Sequence, residues 1–153
     1  ENIVITKTFS KAFGLAGLRV GWAYCPKKIA EKLDILKVPF SVNTAAQMAA
    51  ISALEDDDHI NFSVEHNSKW KKILNDCFAE VGLIVYPSQC NFILVEFLES
   101  SKFSAKDAYH LLSSKGIIVR EMEEYNLPNC LRITIGKEEA NLLLIETVNA
   151  FKK

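Results

Sequence analysis

No sign of charge dominates this sequence: 18 Lys and Arg stand against 19 Asp and Glu, a formal net charge of -1. Without a broad basic field, nothing recommends nucleic acid or an anionic membrane as a partner. The only run of like charge is Asp56-Asp57-Asp58, led by Glu55. It lacks the alternating ligands and the glycine of a calcium loop, so it reads as a solvated loop or as a helix N-terminus, where carboxylates are favoured. The four cysteines, Cys25, Cys77, Cys90 and Cys130, include no C-x-x-C pair, and no histidine stands at ligand spacing from one. That argues against zinc and against a disulfide framework, and leaves buried free thiols in a reducing cytosol as the expectation. No apolar run is long enough to span a bilayer, and the start carries no signal-peptide pattern. The expected compartment is therefore the cytoplasm. No internal repeat or low-complexity tract interrupts the chain. Glu1-Asn2-Ile3 does not read as a natural start, so the sequence is expected to begin inside a larger protein.

What is present is an ordinary globular composition, 49% hydrophobic and 24% charged over 153 residues. That is enough to bury a core and too apolar for disorder. The length suits one compact domain, or one domain plus a piece of another.

Local patterns divide the chain into elements. Ile3-Val4-Ile5-Thr6 is a β-branched run and predicts a buried strand. Residues 8 to 17 predict a loop, and residues 18 to 24 a second strand stopped by Pro26. Ile29, Leu33 and Leu36 recur at helical spacing, and Pro39 breaks that helix. Asn43 or Thr44 caps an Ala-rich helix running to about Leu54. After the acidic turn, Trp70, Ile73, Leu74, Cys77 and Phe78 form one apolar stripe, ended by Gly82. This stripe reads as core. Residues 83 to 86 and 92 to 95 predict two strands. Ser104 and Asp107 make a capping-box start to a helix carrying Tyr109, Leu111 and Leu112, and Gly116 stops it. Residues 117 to 120 predict a strand. In residues 131 to 135 strict alternation puts Arg132 and Thr134 on one face and the aliphatics on the other. The last helix is expected to turn Ala140, Leu143, Leu144, Thr147, Val148 and Phe151 to one side. The first part has α/β character, and the part after the acidic turn has the element order of an α+β unit. Two pieces of different domains, joined near Asp56 to Asp58, fit this order.

The chemistry is concentrated in one segment, residues 8 to 21. Lys11 follows a predicted strand and sits beside the hydroxyls of Thr8 and Ser10, several glycines and Arg19. Hydroxyls, exposed backbone N–H groups and a guanidinium are what a phosphate dianion needs, and glycine lets the backbone come close. An amine held there could form an imine with an aldehyde cofactor. A solvated surface lysine is the plainer alternative for Lys11 alone, and a surface ion pair is the plainer one for Arg19. Arg132 on a polar strand face also suits a solvated residue, and Arg120 could pair with Glu121 or Glu123. His59, His66 and His110 read as ordinary helix or loop residues, and no nucleophile triad is visible.

The string Ser10-Lys11-Ala12-Phe13-Gly14-Leu15-Ala16-Gly17-Leu18-Arg19-Val20-Gly21 resembles the Schiff-base segment of class I/II aminotransferases, which have fold type I. The resemblance is strongest to the histidinol-phosphate aminotransferase branch. It continues through His66-Asn67, Trp70, Pro87-Ser88, Asn91-Phe92, residues 116 to 120 and residues 131 to 136, in the family's order. It implies an α/β protein: the C-terminal portion of a fold type I pyridoxal-phosphate-dependent transferase. Residues 1–57 would be the end of the large cofactor-binding domain, and residues 58–153 an α+β small domain. It implies pyridoxal 5'-phosphate as cofactor, bound covalently by Lys11, which then carries the proton during transfer. It implies Thr8, Ser10 and Arg19 as ligands of the cofactor phosphate. Arg132 would hold a substrate α-carboxylate, Arg120 the phosphate of histidinol phosphate, and Asn91 would contact substrate. The implied reaction, a step of histidine biosynthesis, moves an amino group between L-histidinol phosphate and 2-oxoglutarate in a cytoplasmic homodimer.

In the family, the group on the pyridine nitrogen, the ring-stacking aromatic and a phosphate loop lie upstream of the lysine. The 153 residues alone are therefore expected to have negligible transaminase activity. The alternative that keeps the implied fold and changes the substrate is an aromatic-amino-acid aminotransferase or a threonine-phosphate decarboxylase relative. A non-catalytic small-domain binding module is the alternative from another class, and Lys11 argues against it.

Overall fold

The computed structural model of the chain describes residues 2–98 and 103–150. The chain divides into two compact units, Glu1–Val64 and Glu65–Lys153. The division falls inside a long helix rather than ahead of it.

In the first unit, β1 (Ile5–Thr8) pairs antiparallel with β2 (Gly21–Tyr24), in the register Ile5↔Tyr24 to Thr8↔Gly21. The expected buried strand over residues 3 to 6 is thus displaced toward the C-terminus, and every position of β1 and β2 is exposed. Pairing with β2 sets its position; the apolar run did not. α1 (Lys27–Leu36) ends three residues before Pro39, at an extended Lys37. α2 (Thr44–Leu54) is capped by Asn43, whose side-chain oxygen accepts from the Ala46 N–H at 2.8 Å. That satisfies one of the amide groups a helix start leaves open.

α3 (Asp57–Glu80) opens on the acidic run, with Asp56 Oδ1 accepting from the His59 N–H at 2.9 Å. Of its apolar stripe, Trp70, Leu74, Cys77 and Phe78 are buried. Past Gly82 the second unit continues with β3 (Ile84–Tyr86), β4 (Phe92–Glu96), α4 (Ala105–Ser114), β5 (Arg120–Glu121), β6 (Cys130–Thr134) and α5 (Glu138–Asn149). The four strands form an antiparallel sheet in the order β3-β4-β6-β5.

One face of that sheet, carrying Ile93, Val95, Leu131 and Ile133, packs with Leu74 and Phe78 of α3. Ala108 and Leu112 of α4 and Leu144 and Val148 of α5 complete the same core. This is a two-layer arrangement with helices on one side of an antiparallel sheet. The capping box at α4 is present as expected, with Ser104 and Asp107 bonded reciprocally.

Three expectations need correction. The strand over residues 117 to 120 contracts to Arg120–Glu121, because only those two residues pair with β6. The inner face of α5 is Asn141, Leu144, Thr147 and Val148, while Ala140 and Leu143 are exposed and Phe151 lies outside the described residues. The face is rotated because Asn141 turns inward and bonds both backbone groups of Gly136, at 2.9 Å each. Of the cysteines, Cys77 and Cys130 are buried, but Cys90 is exposed in the turn between β3 and β4. Among the described residues no helix is long and apolar enough to cross a membrane.

Candidate functional site

The loop between β1 and β2 is built on Phe9. Its N–H extends the ladder by donating to the Val20 carbonyl at 3.2 Å, and its side chain is buried with the Phe13 ring 4.7 Å away. The loop then closes on itself. The Gly14 N–H donates to the Lys11 carbonyl at 2.8 Å, and the Leu15 N–H returns to the Phe9 carbonyl at 2.9 Å. Gly14 takes φ +71°, a conformation that costs glycine little. Where the loop rejoins the sheet, a Cβ at Gly21 would stand 2.6 Å from the Lys7 carbonyl oxygen, so only glycine fits the strand crossing.

A short 3-10 turn, Ala16–Leu18, ends at Arg19 in the left-handed region, φ 53°. A non-glycine residue there stores roughly 1 kcal/mol or more, and such strain clusters at functional positions. Its effect is to fold the Arg19 side chain back over the loop. Nη1 donates to the Ala16 carbonyl at 2.8 Å and reaches Ser10 Oγ at 3.5 Å. The Ser10 N–H in turn donates to Thr8 Oγ1 at 3.0 Å. Thr8, Ser10 and Arg19 are therefore one linked cluster. No carboxylate neutralises Arg19 among the described residues. Lys11 is the next residue, exposed, and its ammonium has no hydrogen bond or ion pair among the described residues. Two hydroxyls and an uncompensated guanidinium fit a phosphate dianion.

The second group lies on the other face of the four-stranded sheet. Register aligns Tyr86, Leu94, Arg132 and Arg120 in one row across all four strands. The Arg132 guanidinium sits 5.0 Å from the Phe92 ring centroid, and its Nε is buried with no hydrogen-bond partner among the described residues. Arg120 donates through Nη2 to Glu124 Oε2 at 3.2 Å and to Tyr125 Oη at 3.4 Å. The expected pairing of Arg120 with Glu121 or Glu123 is not what forms. Glu121 is the next strand residue and points to the opposite face, while the turn Glu123–Tyr125 brings Glu124 back. Asn91 is exposed just ahead of β4. Its carbonyl accepts from the Ile135 N–H at 2.9 Å, and its side chain has no hydrogen bond among the described residues.

At the far end of the same face, Tyr86 Oη donates to Glu96 Oε2 at 2.5 Å. That bond and the Glu96 charge raise the phenol above its usual value. Burial, then Glu96, raises the Cys130 thiol. Sequence reasoning singled out neither Glu124 nor Tyr125. The available signal was a carboxylate and an aromatic four and five residues beyond an arginine.

The loop around Lys11 and the helix-backed antiparallel sheet define a class of protein. Residues 1–148 match the family Aminotransferase class I and II, and the chain belongs to that family. Its fold is that of the fold type I pyridoxal-phosphate transferases, and pyridoxal 5'-phosphate is the family's cofactor.

Among the relatives, the chain is 42% identical over 151 residues to the histidinol-phosphate aminotransferase of Rhodopseudomonas palustris (strain BisB18), covering 99% of this chain and 41% of the relative. It is 43% identical over 153 residues to that of Maricaulis maris (strain MCS10), covering 100% of this chain and 42% of the relative. The crystal structure of histidinol-phosphate aminotransferase from Sinorhizobium meliloti in complex with pyridoxal-5'-phosphate superposes with a TM-score of 0.83 at 27% identity. It covers 97% of this chain and 41% of that one. The chain thus spans about two fifths of the length of these relatives.

Proposed function

We propose that the chain is part of a histidinol-phosphate aminotransferase, exchanging an amino group between L-histidinol phosphate and 2-oxoglutarate. The observation that carries this reading is the linked cluster of Thr8, Ser10 and Arg19, with the exposed Lys11 following Ser10 in the chain. Residues 1–57 would supply the last part of the large domain, and residues 58–153 the small domain that closes over substrate. The working enzyme would be a cytoplasmic homodimer.

Pyridoxal phosphate supplies an electron sink when bound. The residues of this chain would contribute as follows. Thr8, Ser10 and Arg19 hold the phosphate by hydroxyl and guanidinium bonds, which fixes the position of the group. Lys11 is the covalent anchor. When free, the Lys11 amine would act as base and then acid, carrying the proton between the substrate Cα and the cofactor C4′. The Arg132 guanidinium would take the α-carboxylate of the oxo acid or its amino product, since its fork matches a carboxylate and no carboxylate pairs with it among the described residues. The cation–π contact with Phe92 keeps that guanidinium in place. Arg120 takes the phosphate of the amino donor, and Asn91 contacts substrate from the small-domain side.

The upstream residues of the longer relatives complete the site, so the 153-residue chain alone should turn over negligibly. The test is a donor panel on the full-length polypeptide, comparing wild type with Arg120→Ala. Removing one charged phosphate contact should lower kcat/KM for histidinol phosphate by roughly ten- to a hundredfold and change phenylalanine little. Equal losses for both donors would move the assignment to an aromatic-amino-acid aminotransferase.

A further inference from the structure

Two side chains hold the Arg120 guanidinium, and they differ in kind. Tyr125 is fixed by its backbone. It closes the 3-10 turn Glu123–Tyr125, and its N–H donates to the Met122 carbonyl at 3.0 Å. The Leu127 N–H returns to the same carbonyl at 3.2 Å, and Met122 is itself buried. The Tyr125 ring, itself 54% exposed, has its centroid 5.4 Å from the guanidinium carbon, so its backbone is held by the turn and its ring lies against the charge. Glu124 holds Arg120 differently, through one ion pair at 3.2 Å, with its own side chain 81% exposed.

The charge balance around this pair is one-sided. Arg120 stands directly opposite Arg132 across the β5–β6 ladder, and like charges directly opposed destabilise a sheet. Such a pair favours an anion near it. Glu124 is the only carboxylate bonded to either arginine among the described residues. An exposed carboxylate on a short turn can swing away at little cost, since exposed ion pairs contribute little.

We propose that Glu124 is a stand-in anion on Arg120, displaced when the donor's phosphate arrives, and that Tyr125 is the positioning residue that keeps the guanidinium aimed during the exchange. This rests on the assignment of Arg120 to the donor phosphate. The two partners then act in opposite directions on phosphate affinity. Glu124 competes with the ligand, so removing its charge strengthens binding. Tyr125 orders the guanidinium before binding, so removing its ring weakens binding. A merely structural ion pair would not give this opposition.

The experiment titrates inorganic phosphate into the full 153-residue chain and follows the Arg120 side-chain N–H resonance by NMR. Wild type is compared with Glu124→Gln, Tyr125→Ala and Tyr125→Phe. Glu124→Gln should tighten phosphate binding about two- to fivefold, the range an exposed ion pair allows. Tyr125→Ala should weaken it by about the same factor, as loss of an exposed cation–π contact predicts. Tyr125→Phe should stay within about twofold of wild type, because it keeps the ring and loses only a long bond to the hydroxyl. An Arg120 signal that responds to phosphate with Glu124→Gln no tighter than wild type would overturn the inference while leaving the assignment of Arg120 intact. Tyr125→Phe losing as much as Tyr125→Ala would overturn the role of the ring. An Arg120 signal indifferent to phosphate in every variant would overturn both the inference and the assignment beneath it. Glu124 is exposed, so its substitution decides the question even where Tyr125→Ala folds poorly.

Discussion

The two strand systems of this chain contrast sharply. In β4 the residues alternate, with Ile93 and Val95 fully buried between half-buried neighbours. In β1 and β2 nothing is buried, and Ile5 and Trp22 are 44% and 50% exposed. Both regions are rich in β-branched and aromatic residues, so propensity does not separate them. Packing does. The second unit covers one face of its sheet with α4, α5 and the C-terminal part of α3, whereas the Lys11 loop is held by backbone hydrogen bonds, a buried Phe9 and one strained arginine. Within these 153 residues, the contrast teaches that the second-unit core is held by its own packing while the Lys11 loop is held by local bonds.

Phe78→Ala breaks the contrast at its strong side. It should cost about 3–5 kcal/mol, the range for emptying a buried aromatic site. Ile5→Ala, on an exposed strand, should stay within about 0.5 kcal/mol. Urea unfolding of both variants checks this, and similar losses would abolish the distinction.

A local defect comes next. Gly21→Ala places a methyl against the Lys7 carbonyl, an overpacking that should cost about 1–3 kcal/mol. Hydrogen exchange should then show the Phe9 amide losing protection while Ile93 and Leu131 keep theirs.

The smallest effect sharpens the strong side. Ser104→Ala should destabilise α4 by about 1 kcal/mol, read as a lower urea midpoint. Its partner Asp107 has a carboxyl below its usual value, first because Ser104 donates to it through side chain and backbone. A depressed folded value means the contribution is complete above the ordinary carboxylate range and fades as pH falls through the lowered value. Asp107→Asn should therefore flatten the acid side of the stability profile slightly, and an unchanged slope would deny Asp107 that role.

Local signals with a short physical range were legible in the sequence. The i, i+3, i+4 apolar spacing placed α1 and the inner stripe of α3, and the Ser104–Asp107 spacing placed the start of α4. Alternation placed Arg132 and Thr134 together on the outer face of β6. What depended on partners distant in sequence was not legible. The position of β1 is set by β2, and the inward turn of Asn141 is set by the open backbone groups of Gly136. In the site, residue types suited a phosphate beside Lys11, and the family resemblance assigned Thr8, Ser10, Lys11 and Arg19 their roles. The left-handed backbone that folds Arg19 onto Ser10 gave no sequence signal, because arginine is not a residue that favours it. Glu124 was passed over for a similar reason, since a three-residue turn decides which of several glutamates meets Arg120.

The central claim is that Lys11 is the cofactor-bearing amine beside a phosphate site formed by Thr8, Ser10 and Arg19. The direct measurement is to expose the full-length polypeptide to pyridoxal phosphate, fix any covalent adduct with borohydride, and map the labelled peptide by mass. The account predicts the label on Lys11, absent in Lys11→Ala and reduced at limiting cofactor in Arg19→Ala. A label spread over surface lysines, or undiminished in Lys11→Ala, would contradict it.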